Sequence, residues 1–200
     1  MGLARLFNPR DLNGNGLVDD FDLLLPISER FFSGGSTTLR GFGYQEAGPR
    51  QVIVPQGQFH NSSGELVGVN PFTVPIGGNG MIVTNLEARV PVTPDIQVVP
   101  FYDGGNVFRA AGDIFKRQPI TPAGDFVQDI NAQNLRVRWT NTVGLGFRFK
   151  TPLGGALAID YGYLLNPSEF LIPQNLGTTP TTAIYRLHQG QIQFRFTQTF

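Results

Sequence analysis

The sequence predicts an all-β, antiparallel meander that forms part of a transmembrane β-barrel, and three observations carry that expectation. The 200 residues hold 25 Gly, 15 Pro and 17 Phe but only 15% charged residues, against roughly 25% in ordinary soluble domains. Few helix formers beside many turn formers and aromatics favour strands. From Met81 to the C-terminus, five long runs alternate apolar and polar side chains with a period of two, the mark of strands whose two faces meet different surroundings. Short connectors at 93–95 and 151–155 alternate with long polar ones at 106–134 and 166–183, as short inner turns and long outer loops do in membrane barrels.

The same composition excludes other classes. Net charge is zero and the pI is about 6.7, so no basic surface for nucleic acid is implied. Cysteine is absent and the only histidines are His60 and His188, which removes disulfides and disfavours zinc. No segment approaches the roughly 20 consecutive apolar residues of a membrane helix. The start, Met1 to Leu6, lacks the basic and long apolar regions of a signal peptide, since Pro9 and Asp11 interrupt it.

Taken in order, residues 1–22 carry a calcium-loop-like pattern. Asp11, Asn13, Asn15, Asp19 and Asp22 stand at loop positions 1, 3, 5, 9 and 12, with Gly16 at position 6 and the Leu17 carbonyl available at position 7. That is the ligand order of an EF-hand-type loop, with Asp22 in place of the bidentate Glu. No amphipathic helix precedes Asp11, and Pro26 soon follows, so a solvated Asx-rich turn is the alternative reading.

Residues 23–32 are apolar with a break at Pro26. They lead into Ser33-Gly34-Gly35-Ser36-Thr37-Thr38-Leu39-Arg40-Gly41-Phe42-Gly43-Tyr44, closing at Gly48-Pro49. This run is too rich in glycine for a regular element, and its one arginine needs a partner elsewhere. Residues 33–77 read as a long loop with at most a small hairpin, a length that is expected only when the loop is functional.

The strands follow. In the first, Ile82, Thr84, Leu86, Ala88, Val90 and Val92 oppose Val83, Asn85, Glu87 and Arg89. In the second, 96–108, Ile96, Val98 and Tyr102 oppose Gln97, Val99, Phe101 and Asp103. The third places Val137, Trp139, Asn141, Val143, Leu145, Phe147 and Phe149 on the lipid side. Arg136, Arg138, Thr140, Thr142, Gly144, Gly146, Arg148 and Lys150 then face a wet lumen. The fourth sets Leu157, Ile159, Tyr161 and Tyr163 against Ala158, Asp160 and Gly162. In the last strand, Ile192, Phe194, Phe196 and the terminal Phe200 alternate with Gln191, Gln193, Arg195, Thr197 and Thr199. An arginine on the lipid side near the midplane would cost roughly 2 to 4 kcal/mol, so the segregation is informative. A soluble sandwich could share the dyad, but with its apolar face inside.

Several motifs occur in a fixed order: Leu25-Pro26, Glu29-Arg30-Phe31-Phe32 with Gly34-Gly35, Leu39-Arg40-Gly41-Phe42, Gly48-Pro49, Gly77-Gly78-Asn79, Asn85-Leu86-Glu87, Phe101-Tyr102-Asp103-Gly104-Gly105, Pro152-Leu153-Gly154 and the terminal Phe. Over about residues 23–200 this set resembles the C-terminal end of the BamA-like surface-antigen barrels, the outer-membrane assembly-factor family. The resemblance implies a 16-stranded outer-membrane barrel, of which residues 79–200 supply about the last five strands and 33–77 the lumenal loop. It implies that the loop folds inward and that Arg40, Gly41 and Phe42 at its tip meet Glu87 and Asp103 on the wall. The face assignment places both carboxylates on the polar side, where one guanidinium can bridge them. A solvated Arg40, with Glu87 paired to a neighbouring basic residue, is the alternative.

The implied function is insertion or translocation of β-barrel or secreted proteins at the outer membrane, without enzymatic chemistry, nucleotide or cofactor. Calcium at residues 11–22 is the one exception considered. Ile192, Phe194, Phe196 and Phe200 would form the C-terminal strand signal, and residues 185–200 one lip of an exchangeable seam. Expected partners are outer-membrane lipid, client β-strand proteins, and the N-terminal barrel strands or periplasmic repeats that such proteins carry upstream, since five strands cannot close a barrel. Within the family, a two-partner secretion pore or a passenger-anchoring barrel is the rival. A soluble β-sandwich binding calcium or another ligand is the rival of a different class.

Overall fold

The computed structural model describes residues 1–5, 11, 16, 18, 22–55, 59–60, 62–64, 66–67, 70–116, 121, 124–151, 154–174 and 181–198. β1 (Gly2–Leu3) joins the edge of the main sheet, and β2 (Arg50–Ile53), β3 (Phe59–His60), β4 (Leu66–Val67) and β5 (Phe72–Pro75) precede the rest of it in the chain. The sheet itself is built from β6 (Gly80–Glu87), β7 (Val90–Thr93), β8 (Ile96–Phe108), β9 (Thr140–Lys150), β10 (Gly155–Leu164) and β13 (Gly190–Gln198). A short helix, α1 (Ile130–Asn134), precedes β9, and β11 (Glu169–Gln174) with β12 (Thr181–Arg186) stands between β10 and β13. The main sheet is antiparallel and open, in the order β1-β6-β8-β9-β10-β13, with β7 also on β8.

Its two faces invert the rule for proteins in water. The apolar side chains Leu86, Val143, Leu145, Phe147, Tyr161, Tyr163, Ile192, Phe194 and Phe196 are exposed, Phe194 at 67%. Val99, Asp103, Thr140, Thr142, Ala158 and Asp160 on the other face are buried. A water-soluble sandwich would show the reverse, so that reading is overturned. The 10 residues of β10, at about 3.4 Å each and tilted by about 40°, rise about 26 Å. This matches the apolar band of about 25 Å on outer-membrane barrels.

The sequence reading and the structure differ at four places. The connector expected at 106–134 starts too early and is not all loop, because β8 runs on to Phe108 and α1 forms at Ile130–Asn134. The alternation read from Val137 onward starts too early, because β9 begins at Thr140. Val137 is buried in a core with Leu39, Phe42, Phe108, Ile114, Leu164, Phe170 and Leu187, and Trp139 packs against it. Arg136 and Arg138 therefore lie ahead of the strand, and the Arg138 guanidinium donates to the Pro167 carbonyl at 2.9 Å. The first run is broken between β6 and β7, whose register on β8 shifts between Pro91 and Thr93; Pro91 lacks the donor a regular ladder needs. The connector at 166–183 contains most of a hairpin, with Phe170 opposite Tyr185 and Leu171 opposite Ile184.

The long loop has a stem. Phe31 bridges Gly78, Ser33 bridges Ala47, and β2 pairs β5 around the smaller β3–β4 ladder. Arg30 closes the base by donating to the carbonyls of Leu25 at 2.5 Å and Ile76 at 3.0 Å. Asn79 accepts from the Leu25 amide and donates to the Leu23 carbonyl.

Candidate functional site: an arginine-tipped loop on the inner wall

Backbone hydrogen bonds fold residues 33–47 into a compact loop. Gly35 N donates to Phe42 O at 3.1 Å, Phe42 N to Leu39 O at 3.1 Å and Ala47 N to Ser33 O at 3.0 Å. Gly34, at φ +113°, takes a conformation in which a side chain is strained. Leu39 and Phe42 anchor in the core on either side of the tip, which drives Arg40 against the wall with 3% of its surface exposed.

The wall is prepared by the strand register. Asp103 pairs with Asn85 on β6 and Thr142 on β9, and Phe101 pairs with Glu87 and Gly144. Gly144 pairs in turn with Gly162, and Gly146 with Asp160. The polar face thus carries carboxylates at three points around a patch of glycine. At Gly162 an added Cβ would lie 2.8 Å from the Arg40 carbonyl oxygen and 3.0 Å from Gly41 N, so the loop backbone rests directly on β10.

Arg40 uses every donor type it has. Nε and Nη2 donate to Asp103 Oδ2 and Oδ1 at 2.8 and 2.6 Å, and its backbone N reaches Oδ2 at 3.0 Å. Nη1 donates to Glu87 Oε1 at 2.6 Å and lies 4.0 Å from Asp160 Oδ2. The guanidinium carbon stands 3.5 Å over the Phe101 ring, in cation–π range. Burial works against the charge, yet the hydrogen bonds and charges of Asp103, Glu87 and Asp160 outweigh it and hold the Arg40 pKa above its ordinary value. The arginine thus stays charged in a site where it would be costly without partners.

Two further arginines complete the charge balance. Arg148 donates to Asp160 Oδ1 at 2.6 Å and Oδ2 at 3.2 Å, and lies 3.7 Å from Glu87 Oε1. Arg89 reaches Glu87 Oε2 at 3.3 Å. Glu87 therefore binds Arg40 and neighbouring basic residues as well, while the alternative of a solvated Arg40 fails, since the side chain is buried. Asn85 donates to Asp103 Oδ1 at 2.7 Å and to the Thr38 carbonyl at 2.6 Å, and Gln193 Nε2 on β13 donates to the Phe42 carbonyl at 2.7 Å. Arg40, Gly41, Phe42, Glu87 and Asp103 thus lie together. Asp160, Asn85, Phe101 and Gln193 join them; their alternation placed each of these on the polar face, but only register shows which face one another.

The other candidate residues are placed as follows. Ile192, Phe194 and Phe196 line the exposed apolar face of β13, and Phe200 lies outside the described residues. Of the calcium-like set, Asn13, Asn15, Leu17 and Asp19 lie outside them too. Gly16, at φ +81°, donates its N–H to Asp11 Oδ2 at 2.6 Å, and Asp22 is buried.

An antiparallel sheet that is apolar outside and polar inside, with a loop fastened to its inner wall, defines a segment of an outer-membrane β-barrel protein. Residues 12–200 match the Omp85 superfamily domain, and the chain belongs to that superfamily. Its members are non-enzymatic transporters or assembly factors, and membership points to the outer membrane and to protein insertion or translocation there.

Proposed function

We propose that this chain forms the C-terminal part of a BamA-like barrel that inserts client β-barrel proteins into the outer membrane. The observation that carries the reading is the juxtaposition of the locked loop with the last strand. β13 pairs β10 along one edge over Gly190–Gln198, and the proposed seam runs along its other edge. Such an edge offers alternate N–H and C=O groups to a client strand. The Arg40 network and the Gln193 bond to Phe42 hold that edge in register beside the loop. The apolar row of Ile192, Phe194 and Phe196 faces the lipid that an inserted client must enter. No nucleophile or cofactor is needed, because hydrogen bonds are exchanged one for one.

The chain has no cysteine, so a Gln191→Cys variant can report pairing without background. Mixed with an unfolded client barrel carrying single cysteines in its first strand, in lipid vesicles, it is expected to give a ladder of disulfide adducts at alternate positions during assembly. Adducts that form equally with a client lacking strand-forming segments, or none at all while clients insert, would overturn the proposal.

A further inference from the structure

We propose that a basic cavity on the lumenal face, at the short-turn end of the sheet, binds an acidic, extended polypeptide segment. The cavity of about 350 Å³ lies below the Arg40 network. Its floor is made by Ala156 and Ala158 on β10, and its sides by Arg148 and Lys150 on β9 and Arg195 on β13. Register explains the hollow: Ala158 sits between Arg148 and Arg195, and Ala156 between Lys150 and Thr197. Two small side chains thus leave a trough flanked by long cationic ones.

The charge there is not balanced. Arg148 is committed to Asp160 and Glu87, and the exposed Arg89 leans on Glu87. Among the described residues, the partners of Lys150 and Arg195 are carbonyls, Pro94 O at 2.8 Å and Ser36 O at 3.2 Å. Among the described residues neither has a carboxylate within 4.0 Å. Among the described residues, Asp95 is the one carboxylate on the lining. An excess of positive charge against low-dielectric walls attracts anions.

The spacing selects the ligand. Lys150 and Arg195 stand on strands two apart, about 10 Å between backbones, two residues out of step in register, with their charged ends held on different carbonyls, Pro94 O and Ser36 O, so they offer two separate points of attachment. Side chains two to three positions apart on an extended chain span that gap. Lipid phosphate approaches from the opposite, apolar face of the sheet. An acidic polypeptide entering by the short turns reaches the cavity directly, and Gln97 and Thr197 on the lining offer groups to its backbone. The inference rests on the reading that this face is a lumen through which, or beside which, polypeptides move.

The test uses the full chain folded in zwitterionic detergent and a fluorescein-labelled 12-residue Asp/Ser peptide, read by anisotropy. Saturable binding is expected, at least tenfold weaker in the Lys150→Gln/Arg195→Gln variant, and absent for the Asn/Ser counterpart. Lys150→Glu alone, at an exposed side chain, should weaken binding too and guards against misfolding of the double variant. Equal affinity in all variants, or equal binding of the neutral peptide, would overturn the inference. Displacement by inorganic phosphate at the concentration effective for the peptide would reassign the cavity to a small anion and likewise overturn it. If the peptide fails to bind while Gln191→Cys still captures clients, this inference falls and the assembly reading stands.

Discussion

Replacing Arg40 with alanine tests the network most directly. Asp103 accepts four hydrogen bonds, from Arg40 N, Nε and Nη2 and from Asn85 Nδ2. The variant keeps the backbone and Asn85 donors and loses the two from the guanidinium. Glu87 loses its 2.6 Å partner and keeps Arg89 at 3.3 Å and Arg148 at 3.7 Å. Three carboxylates would then face two arginines, with Asp103 and Asp160 at 0% and 1% exposure. Removing one partner of a buried pair costs about 3 to 5 kcal/mol; the surviving donors place this case near the lower end, about 3 kcal/mol. Because the unpaired charge is the main penalty, Arg40→Ala/Asp103→Asn should recover part of the loss, with a coupling energy of at least about 1 kcal/mol. Urea unfolding in detergent, followed by the fluorescence of the single Trp139 and by heat-modifiable mobility, measures all four corners of the cycle. A single-variant loss below about 1 kcal/mol, or strictly additive effects, would refute the lock.

Other outcomes follow from the same geometry. Gly162→Ala pushes a methyl against the Arg40 carbonyl and Gly41 N, which are backbone atoms that cannot rotate away; a loss of about 1 to 3 kcal/mol and faster protease cleavage within residues 33–48 are expected. Leu145→Arg, on the exposed apolar face, should cost about 2 to 4 kcal/mol in a bilayer, and a neutral result would argue against lipid on that side. Burial pushes the Asp113 carboxyl up, but Arg109 at 2.7 Å and Lys116 at 3.1 Å outweigh it and hold its pKa below the usual carboxylate range. A pKa lowered by folding stabilises above the unfolded value of about 3.9 and is lost as pH falls through the folded value. Asp113→Asn should therefore flatten the acid side of the stability profile below about pH 4, as unfolding midpoints at stepped pH will show.

The strands were legible because their two faces meet such different media. The start of β8 at Ile96 is legible, whereas its end at Phe108 overlaps the connector expected from 106, and the faces of β10 and β13 follow from period two alone. Arg40 stood out as a lone charge among glycines; the family resemblance pointed to Glu87 and Asp103, and the face assignment agreed by placing both on the polar side. Period two says which face a residue takes and nothing about its height, so Asp160 remained one polar residue among several until β9 and β10 were set in register. The over-extension to Val137 has the same origin: alternation persists through Val137 and Trp139, while the chain has left the sheet to enter a core made of loop residues distant in sequence. The hairpin at 169–186 was hidden by Pro167, Pro173 and Pro180, residues that break strands on average, although Pro173 sits in β11 opposite Thr182.

The contacts between β13 and the loop also have a mechanical side. Gln193 grips the Phe42 carbonyl and Arg195 the Ser36 carbonyl, on strand positions two residues apart that straddle the exposed Phe194. A sideways pull on the last strand is therefore shared between the β10–β13 ladder and residues 36–42. The loop thus ties the last strand to the wall, with Arg40 as the rivet at its far end.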